Sequence, residues 1–363
     1  MTVKLRHIPA AVAAVFALAA PASAFAAADP AELMNAGALR GATDAQVCLV
    51  DTGVDNTSEL QGASVTRVSM TGRSGADMNR DKHGTVIAET FAGRNVGLIP
   101  GARVLSVEVE GASTATVAAA FDLCVQRGAN VINWSAAADR RSPALDAAAQ
   151  RACAADALVF VAAGNTNGGA ARATASTPCV IAVGSTDLDG HWDALSARGA
   201  GITILAPGAG WTAAGTSVAS VEAAGVAAGL RALLPQRNAG EVRDAILAGA
   251  RQRPAGRVVD VAGALRILGQ GDLAAASVPP VAGDSGRVSA RDVSFRARRV
   301  GGQVVVSAVG DIRGGRLRVR VGRDSYTGAA ARVVVSRVRL PRAVRAELTA
   351  GARVVAVARV AVR

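Results

Sequence analysis

Residues 47–53 read Val-Cys-Leu-Val-Asp-Thr-Gly. Four apolar residues, then an acid, then a turn-forming pair describe a short buried strand that ends at Asp51. A carboxylate at the end of a buried strand is semi-buried and must be paired or hydrogen-bonded. Apolar runs of similar length recur at 102–109, 130–137, 157–164 and 179–185. Between them, 83–93, 115–128, 143–155, 217–233 and 239–250 carry helical spacing. Strands alternating with helices predict an α/β fold, a mostly parallel sheet with helices on both faces. In such sheets the reactive groups gather at the carboxyl ends of the strands.

The chain has 363 residues, half of them hydrophobic but only 3% aromatic. The core must therefore be built from small aliphatic residues packed closely, and the length accommodates two domains. Lys4, Arg6 and His7, an apolar run over 10–20 and the small-residue pattern Ala22-Ser23-Ala24 mark residues 1–28 as a signal peptide. No later run of about 20 apolar residues follows, so an exported protein is expected, secreted or held in the periplasm or cell envelope. Cys48, Cys124, Cys153 and Cys179 form an even set, which in an exported chain suggests two disulfides. Cys153 closes a helical segment and Cys179 precedes a strand, which pairs those two and leaves Cys48 with Cys124; buried free thiols are the alternative. No Cys-x-x-Cys exists to hold zinc, and no cofactor or metal is expected.

The domain reading is 29–270 for the α/β unit, 271–287 for an Ala-, Gly-, Ser- and Pro-rich linker, and 288–363 for a small all-β domain, sandwich-like, with β-branched segments at 302–308, 316–321, 332–338 and 353–362. Eighteen arginines face five acids from residue 281 onward, so the net charge of +12 belongs to this C-terminal region. Such a surface suits an anionic cell-surface polymer or a membrane surface. With so few aromatics to stack bases, nucleic acid is not an expected partner.

Three histidines exist: His7, His83 and His191. His7 leaves with the signal peptide, and His191 lies in a polar loop. His83 opens a helical stretch, His-Gly-Thr-Val-Ile-Ala, where it stays accessible as a general base. Asp51 is suited to hold an imidazole N–H, fixing its tautomer and stabilising the imidazolium. Ser217, in Gly-Thr-Ser, stands at the start of an Ala-rich helix. A serine there is usually a helix cap, but a nucleophile gains from the free N–H groups and positive dipole end of the same place. Asn165 follows Val-Ala-Ala-Gly at another strand terminus, with a side-chain amide able to donate to an oxyanion.

Taken together these segments resemble a known family. Val50-Asp51-Thr52-Gly53 resembles the aspartate motif of the subtilases, the subtilisin-like serine proteases; His83-Gly84-Thr85-Val86-Ile87-Ala88 their histidine motif; and Gly215-Thr216-Ser217-Val218-Ala219-Ser220 their serine motif. Val131-Ile132-Asn133-Trp134-Ser135 resembles the substrate strand, and Ala162-Ala163-Gly164-Asn165 the oxyanion asparagine motif. The order Asp, His, Ser is that of subtilisin. The resemblance covers about residues 40–268. It implies catalytic roles for Asp51, His83 and Ser217, an oxyanion hole containing Asn165, and a cleft for a protein or peptide substrate lined by Ser135, Ala136, Ala137, Ala162, Ala163 and Gly164.

Departures from the pattern stand beside it. Val221 and Glu222 replace the usual Pro and His, Glu89 stands where Gly is usual, and Ala137 where Gly is common. Glu89 must point outward or meet a partner. Room for a folded propeptide is lacking, and no dense carboxylate cluster for calcium is evident. These departures leave a second reading, a catalytically weak or inactive subtilase-fold binding protein at the cell envelope.

Overall fold

The structure, a computed structural model, describes residues 30–208 and 214–278 in full, and the backbone of seven strands between 294 and 361. The predicted signal peptide and most of the predicted linker lie outside the described residues.

Strands β1 (Gln46–Asp51), β2 (Ser64–Ser69), β3 (Arg103–Glu108), β4 (Val131–Trp134), β5 (Leu158–Ala162), β6 (Val180–Thr186), β7 (Ile204–Pro207), β8 (Arg251–Arg253) and β9 (Gly256–Val258) form one sheet in the order β2-β3-β1-β4-β5-β6-β7-β9-β8. Its pairings are parallel except for the β8–β9 hairpin. The predicted mostly parallel α/β sheet is what the chain forms.

Period-two alternation sorts the strands onto two faces. In β1, Val47 and Leu49 join one core cluster while Cys48 and Val50 join the other; in β5, Leu158 and Phe160 oppose Val159 and Val161 in the same way. The first face is covered by α2 (His83–Ala92), α5 (Thr216–Leu233), α6 (Ala239–Gly249) and α7 (Val261–Ile267), the second by α3 (Thr114–Gln126) and α4 (Pro143–Ala154). A short α1 (Pro30–Leu33) precedes β1. Helix α5 runs through the centre of its layer and is buried from Val218 to Leu230, which its Ala and Gly residues permit.

Two disulfides tie the second layer together. Cys48 of β1 bonds Cys124 of α3, and Cys153 of α4 bonds Cys179 ahead of β6, with Cα separations of 5.9 and 6.5 Å. Both pairings are the predicted ones.

One expectation needs correction. Residues 271–277, read as the start of a linker, form helix α8 (Gly271–Ser277). Alanine is the best helix former, so an Ala-rich run is a poor linker signature when a surface stands ready to bury it. Ala274 and Ser277 are buried, and α8 packs on α7 and on the 3₁₀ turn Gly37–Gly41. Of the two alternatives for Glu89, pointing outward or meeting a partner, the structure takes the second: it is 6% exposed on α2 and partnered, and Glu222 is 2% exposed on α5, which packs against α2.

Beyond residue 278, β10 (Ser294–Val300), β11 (Gln303–Val309) and β14 (Arg332–Ser336) pair antiparallel in one sheet. Strands β12 (Gly315–Val321), β13 (Asp324–Ala329), β15 (Ala343–Ala350) and β16 (Arg353–Ala361) do so in a second. Among the described residues, no helix is long and apolar enough to cross a membrane.

Candidate active site

Three adjacent strands deliver the predicted residues to one rim. β4 lies between β1 and β5, with Leu49 opposite Asn133 and Trp134 opposite Val161. Two residues beyond the first pair, Asp51 and Ser135 stand level; one beyond the second, Ser135 and Ala162 do. Neighbouring strands are about 4.8 Å apart, so Asp51, Ser135 and the Ala162-to-Asn165 turn are successive steps along the carboxyl edge.

His83 is the first residue of α2, and its Nδ1 lies 2.7 Å from Oδ1 of buried Asp51. The same Asp51 oxygen accepts the Thr52 N–H at 2.7 Å. Glycine follows His83 for a steric reason: a Cβ on Gly84 would sit 2.3 Å from the Gly53 carbonyl oxygen and 3.1 Å from Asp51 Oδ1. The helix can approach the strand end only with a hydrogen there.

The helix start is held by a residue the sequence reading passed over. Lys82, the N-cap, has a left-handed backbone (φ 54°) and makes no side-chain cap. Asp77, fully buried, takes over that task from five residues upstream. Its Oδ2 accepts from the Thr85 N–H at 2.8 Å and the Thr85 hydroxyl at 2.7 Å. Its Oδ1 accepts from Thr52 Oγ1 at 2.9 Å and the Asn79 N–H at 3.1 Å. Thr52 Oγ1 in turn accepts the Gly84 N–H at 2.8 Å. Asp77 thus ties the helix that carries His83 to the strand end that carries Asp51. Its sequence signal was faint, an acid in a polar loop ahead of a helix, where the dipole favours negative charge.

The surroundings set the imidazole's proton affinity. Burial favours neutral His83, but the Asp51 hydrogen bond and charge, with the charges of Asp77 and Glu110, outweigh it and hold the pKa above 6.5. Glu110 is steadied by the Asn79 amide at 3.1 Å.

Ser217 is the second residue of α5, whose N-cap is Gly215 with no side-chain bond, so Ser217 is not the helix cap. Its Oγ donates to the Ser135 carbonyl at 2.8 Å. Among the described residues no hydrogen bond joins Ser217 to His83. The Ser217 carbonyl accepts from the Ser135 and Ser220 hydroxyls, each at 2.9 Å. The Ser135 hydroxyl also accepts from Asn133 Nδ2 at 2.8 Å, so its side chain is buried under the turn that carries Ser217.

The exposed Asn165 is aimed by Thr216, another residue without a separate signal in the sequence. Asn165 Oδ1 accepts from both the N–H and the hydroxyl of Thr216 at 2.9 Å, and the Gly164 N–H donates to Thr216 Oγ1 at 3.2 Å. With the oxygen engaged, the amide nitrogen is left to donate elsewhere. Gly215, at φ 106°, leaves room for this: a Cβ would lie 2.7 Å from Asn165 Oδ1.

The remaining predicted cleft residues divide. Ala162 and Ala163 are buried. Ala163 N–H donates to Val183, its carbonyl accepts from Arg172, and the Gly164 carbonyl accepts from Ala197. Ala136 is exposed and Ala137 half-buried. No backbone hydrogen bond engages either among the described residues, which leaves those groups open to an extended peptide.

His191, the other candidate base, sits apart in an exposed loop with its Nδ1 3.7 Å from Asp187 Oδ2. Asp187, Asp189 and His191 are the one group of clustered candidate metal ligands among the described residues. Asp187 Oδ1 already accepts the Asp189 and His191 N–H groups there.

A parallel sheet whose rim joins a carboxylate–imidazole pair, a hydroxyl at a helix start and an amide donor defines the class of α/β serine-hydrolase folds. Residues 42–271, more than half of the chain, match the subtilase family, Peptidase_S8, and the chain belongs to that family. It is 32% identical over 215 residues to M-protease of Shouchella clausii (strain KSM-K16), covering 53% of this chain and 54% of that protein. It is 31% identical over 211 residues to subtilisin Savinase of Lederbergia lenta, covering 53% and 77%. Among solved structures, the prenylagaramide maturation protease PagA superposes with a TM-score of 0.55 at 27% identity, over 65% of this chain and 98% of that one. The chain spans about half the length of several curated relatives it matches.

Proposed function

We propose that the chain is a serine endopeptidase that cleaves protein or peptide substrates through an acyl-enzyme. The observation that carries this reading is the rim itself: the Asp51–His83 pair at 2.7 Å stands one strand spacing from Ser135, whose carbonyl receives the Ser217 hydroxyl at 2.8 Å. In the reaction the Ser217 hydroxyl leaves the Ser135 carbonyl and turns to His83 Nε2, a hydrogen bond that forms as substrate binds. Ser217 Oγ then bonds to the substrate carbonyl carbon as its proton passes to His83. Asn165 Nδ2 and the Ser217 N–H donate to the oxyanion. Collapse breaks the C–N bond, and His83 gives its proton to the leaving amine. Water repeats the sequence and frees Ser217. Asp51 holds the imidazole and stabilises its charged form. The open backbone at Ala136 and Ala137 accepts the substrate as an added strand, while buried Ala162, Ala163 and Gly164 form the floor beneath the opposite side.

The same reading places residues 1–28 as an export signal and the enzyme outside the cytoplasm, where disulfides persist. Residues 288–363 are read as a small basic β domain that brings the enzyme to an anionic polymer or membrane surface; its binding should weaken as salt rises. The binding-protein alternative draws on Val221, Glu222 and Glu89, none of which removes a catalytic group.

The test is covalent labelling. A fluorophosphonate should modify the folded protein at Ser217, and Ser217→Ala should abolish the label. Folded protein that takes no label overturns the endopeptidase reading.

A further inference from the structure

A cavity of about 570 Å³ opens beside Asn165, and Asp139 and Arg172 are the charged residues that border it. They form an ion pair with each other across it. Asp139 belongs to the loop that continues from Ser135, Ala136 and Ala137, whereas Arg172 follows the Ala163-to-Asn165 turn. The pair therefore links the two segments that flank the proposed cleft. Apart from these two the walls are small or polar, including Ala170, Ala171 and Ala173.

The two partners are held very differently. The Arg172 N–H donates to the Ala163 carbonyl at 2.9 Å. Its aliphatic stem lies against Gly164, where a Cβ would fall 2.5 Å from Arg172 Cγ. The side chain of Arg172 is 41% exposed and that of Asp139 is 71% exposed. Arg172 is thus the anchored member and Asp139 the replaceable one. An exposed pair of this kind contributes little, so one carboxylate can exchange for another at little loss.

We infer that Arg172 is a specificity-determining residue, which selects an acidic side chain on the substrate residue whose carbonyl is attacked (P1), with Asp139 occupying its guanidinium until substrate arrives. The inference rests on the proposed peptidase activity, which puts that carbonyl at Asn165 and its side chain beside the cavity. A glutamate or aspartate entering there displaces the Asp139 carboxylate and takes the fork of Arg172 N–H groups. The arginine stem takes up room that a large aromatic side chain would need.

The test uses the full-length protein, Arg172→Gln and Asp139→Asn, on peptides that differ only at P1 (Glu, Ala, Leu or Lys). Each protein is labelled with fluorophosphonate in parallel. The native protein should favour Glu over Leu and Lys. Arg172→Gln should lower the Glu-to-Ala ratio of kcat/KM about tenfold, as expected when a charge-assisted contact is lost. Asp139→Asn should raise that ratio by up to about fivefold, because the competing carboxylate is gone. Labelled proteins that all rank P1 residues alike, or a native preference for Lys that Asp139→Asn abolishes, overturn the inference while leaving the peptidase reading standing. Absence of label in every folded variant removes both.

Discussion

The two halves of the rim are built by different means. On the histidine side, the geometry is held by side-chain oxygens: Asp77 alone accepts four hydrogen bonds and joins the start of α2 to the end of β1. On the serine side it is held by backbone shape. Gly215 takes φ 106°, α5 starts without a side-chain cap, and the Thr216 N–H and hydroxyl fix Asn165. The proposed mechanism gives the reason. A general base needs its proton affinity set, which takes nearby charge. A nucleophile and oxyanion donors need free N–H groups pointed at one spot, which takes a bare helix terminus.

That contrast can be broken by substitution. Ser217→Ala should have the largest effect, a loss of peptide hydrolysis of at least about 10⁴-fold with the fold retained, read by activity and circular dichroism. Asn165→Ala comes next. It should lower kcat about 10²–10³-fold with little change in KM, a magnitude carried over from subtilisin. Gly215→Ala should move kcat in the same direction, because its methyl would meet the Asn165 amide at 2.7 Å in a backbone region that disfavours side chains. If kcat survives in Gly215→Ala, backbone shape does not position the amide.

On the other half the effects are smaller and electrostatic. Asp77→Asn should lower stability by about 1–3 kcal/mol in thermal or urea unfolding, because an amide NH₂ would face the Thr85 donors. It should also move the acid limb of kcat/KM. The sign follows from His83: its pKa lies above 6.5 partly through the charges of Asp77 and Glu110, and in the proposed mechanism it acts as a base only when neutral. Removing a negative charge destabilises the imidazolium, lowers the pKa and shifts the acid limb to lower pH. Glu110→Gln should give that shift with stability nearly unchanged, the smallest effect of the set. A pH–rate profile that moves upward, or stays fixed in both variants, would show that the carboxylates only brace the helix.

Legibility from sequence followed the same division. Strands β1, β3, β4, β5 and β6 and helices α2 to α6 were readable because each carries a strong period and most lie in the buried centre. Strand β2 was missed because its Ser-Val-Thr-Arg-Val-Ser alternates exposed and half-buried positions at the sheet edge. β8 and β9 have only three residues each, too short for a period to register, and the four of β7 end in Pro207, which reads as a turn. Helix α8 hid in a composition that looked like linker. In the site, Asp51, His83, Ser217 and Asn165 stood out because each sits in a motif at an element's end. Asp77 and Thr216 did not, because their importance lies in groups distant along the chain. Thr216 meets Asn165 across 51 positions.

The sequence by itself determined the elements of the sheet's centre and the parallel order of strand and helix, which follow from local periodicity. It favoured the two cysteine pairs over free thiols, and the family entered through the resemblance of five motifs. Only tertiary structure decided that Asp77 anchors the helix of His83, that the Ser217 hydroxyl rests on the Ser135 carbonyl, that Glu89 is buried, and that Arg172 and Asp139 meet across the cavity. Those are contacts between side chains far apart in the chain, and their partners are chosen by strand order and by the space left between packed layers.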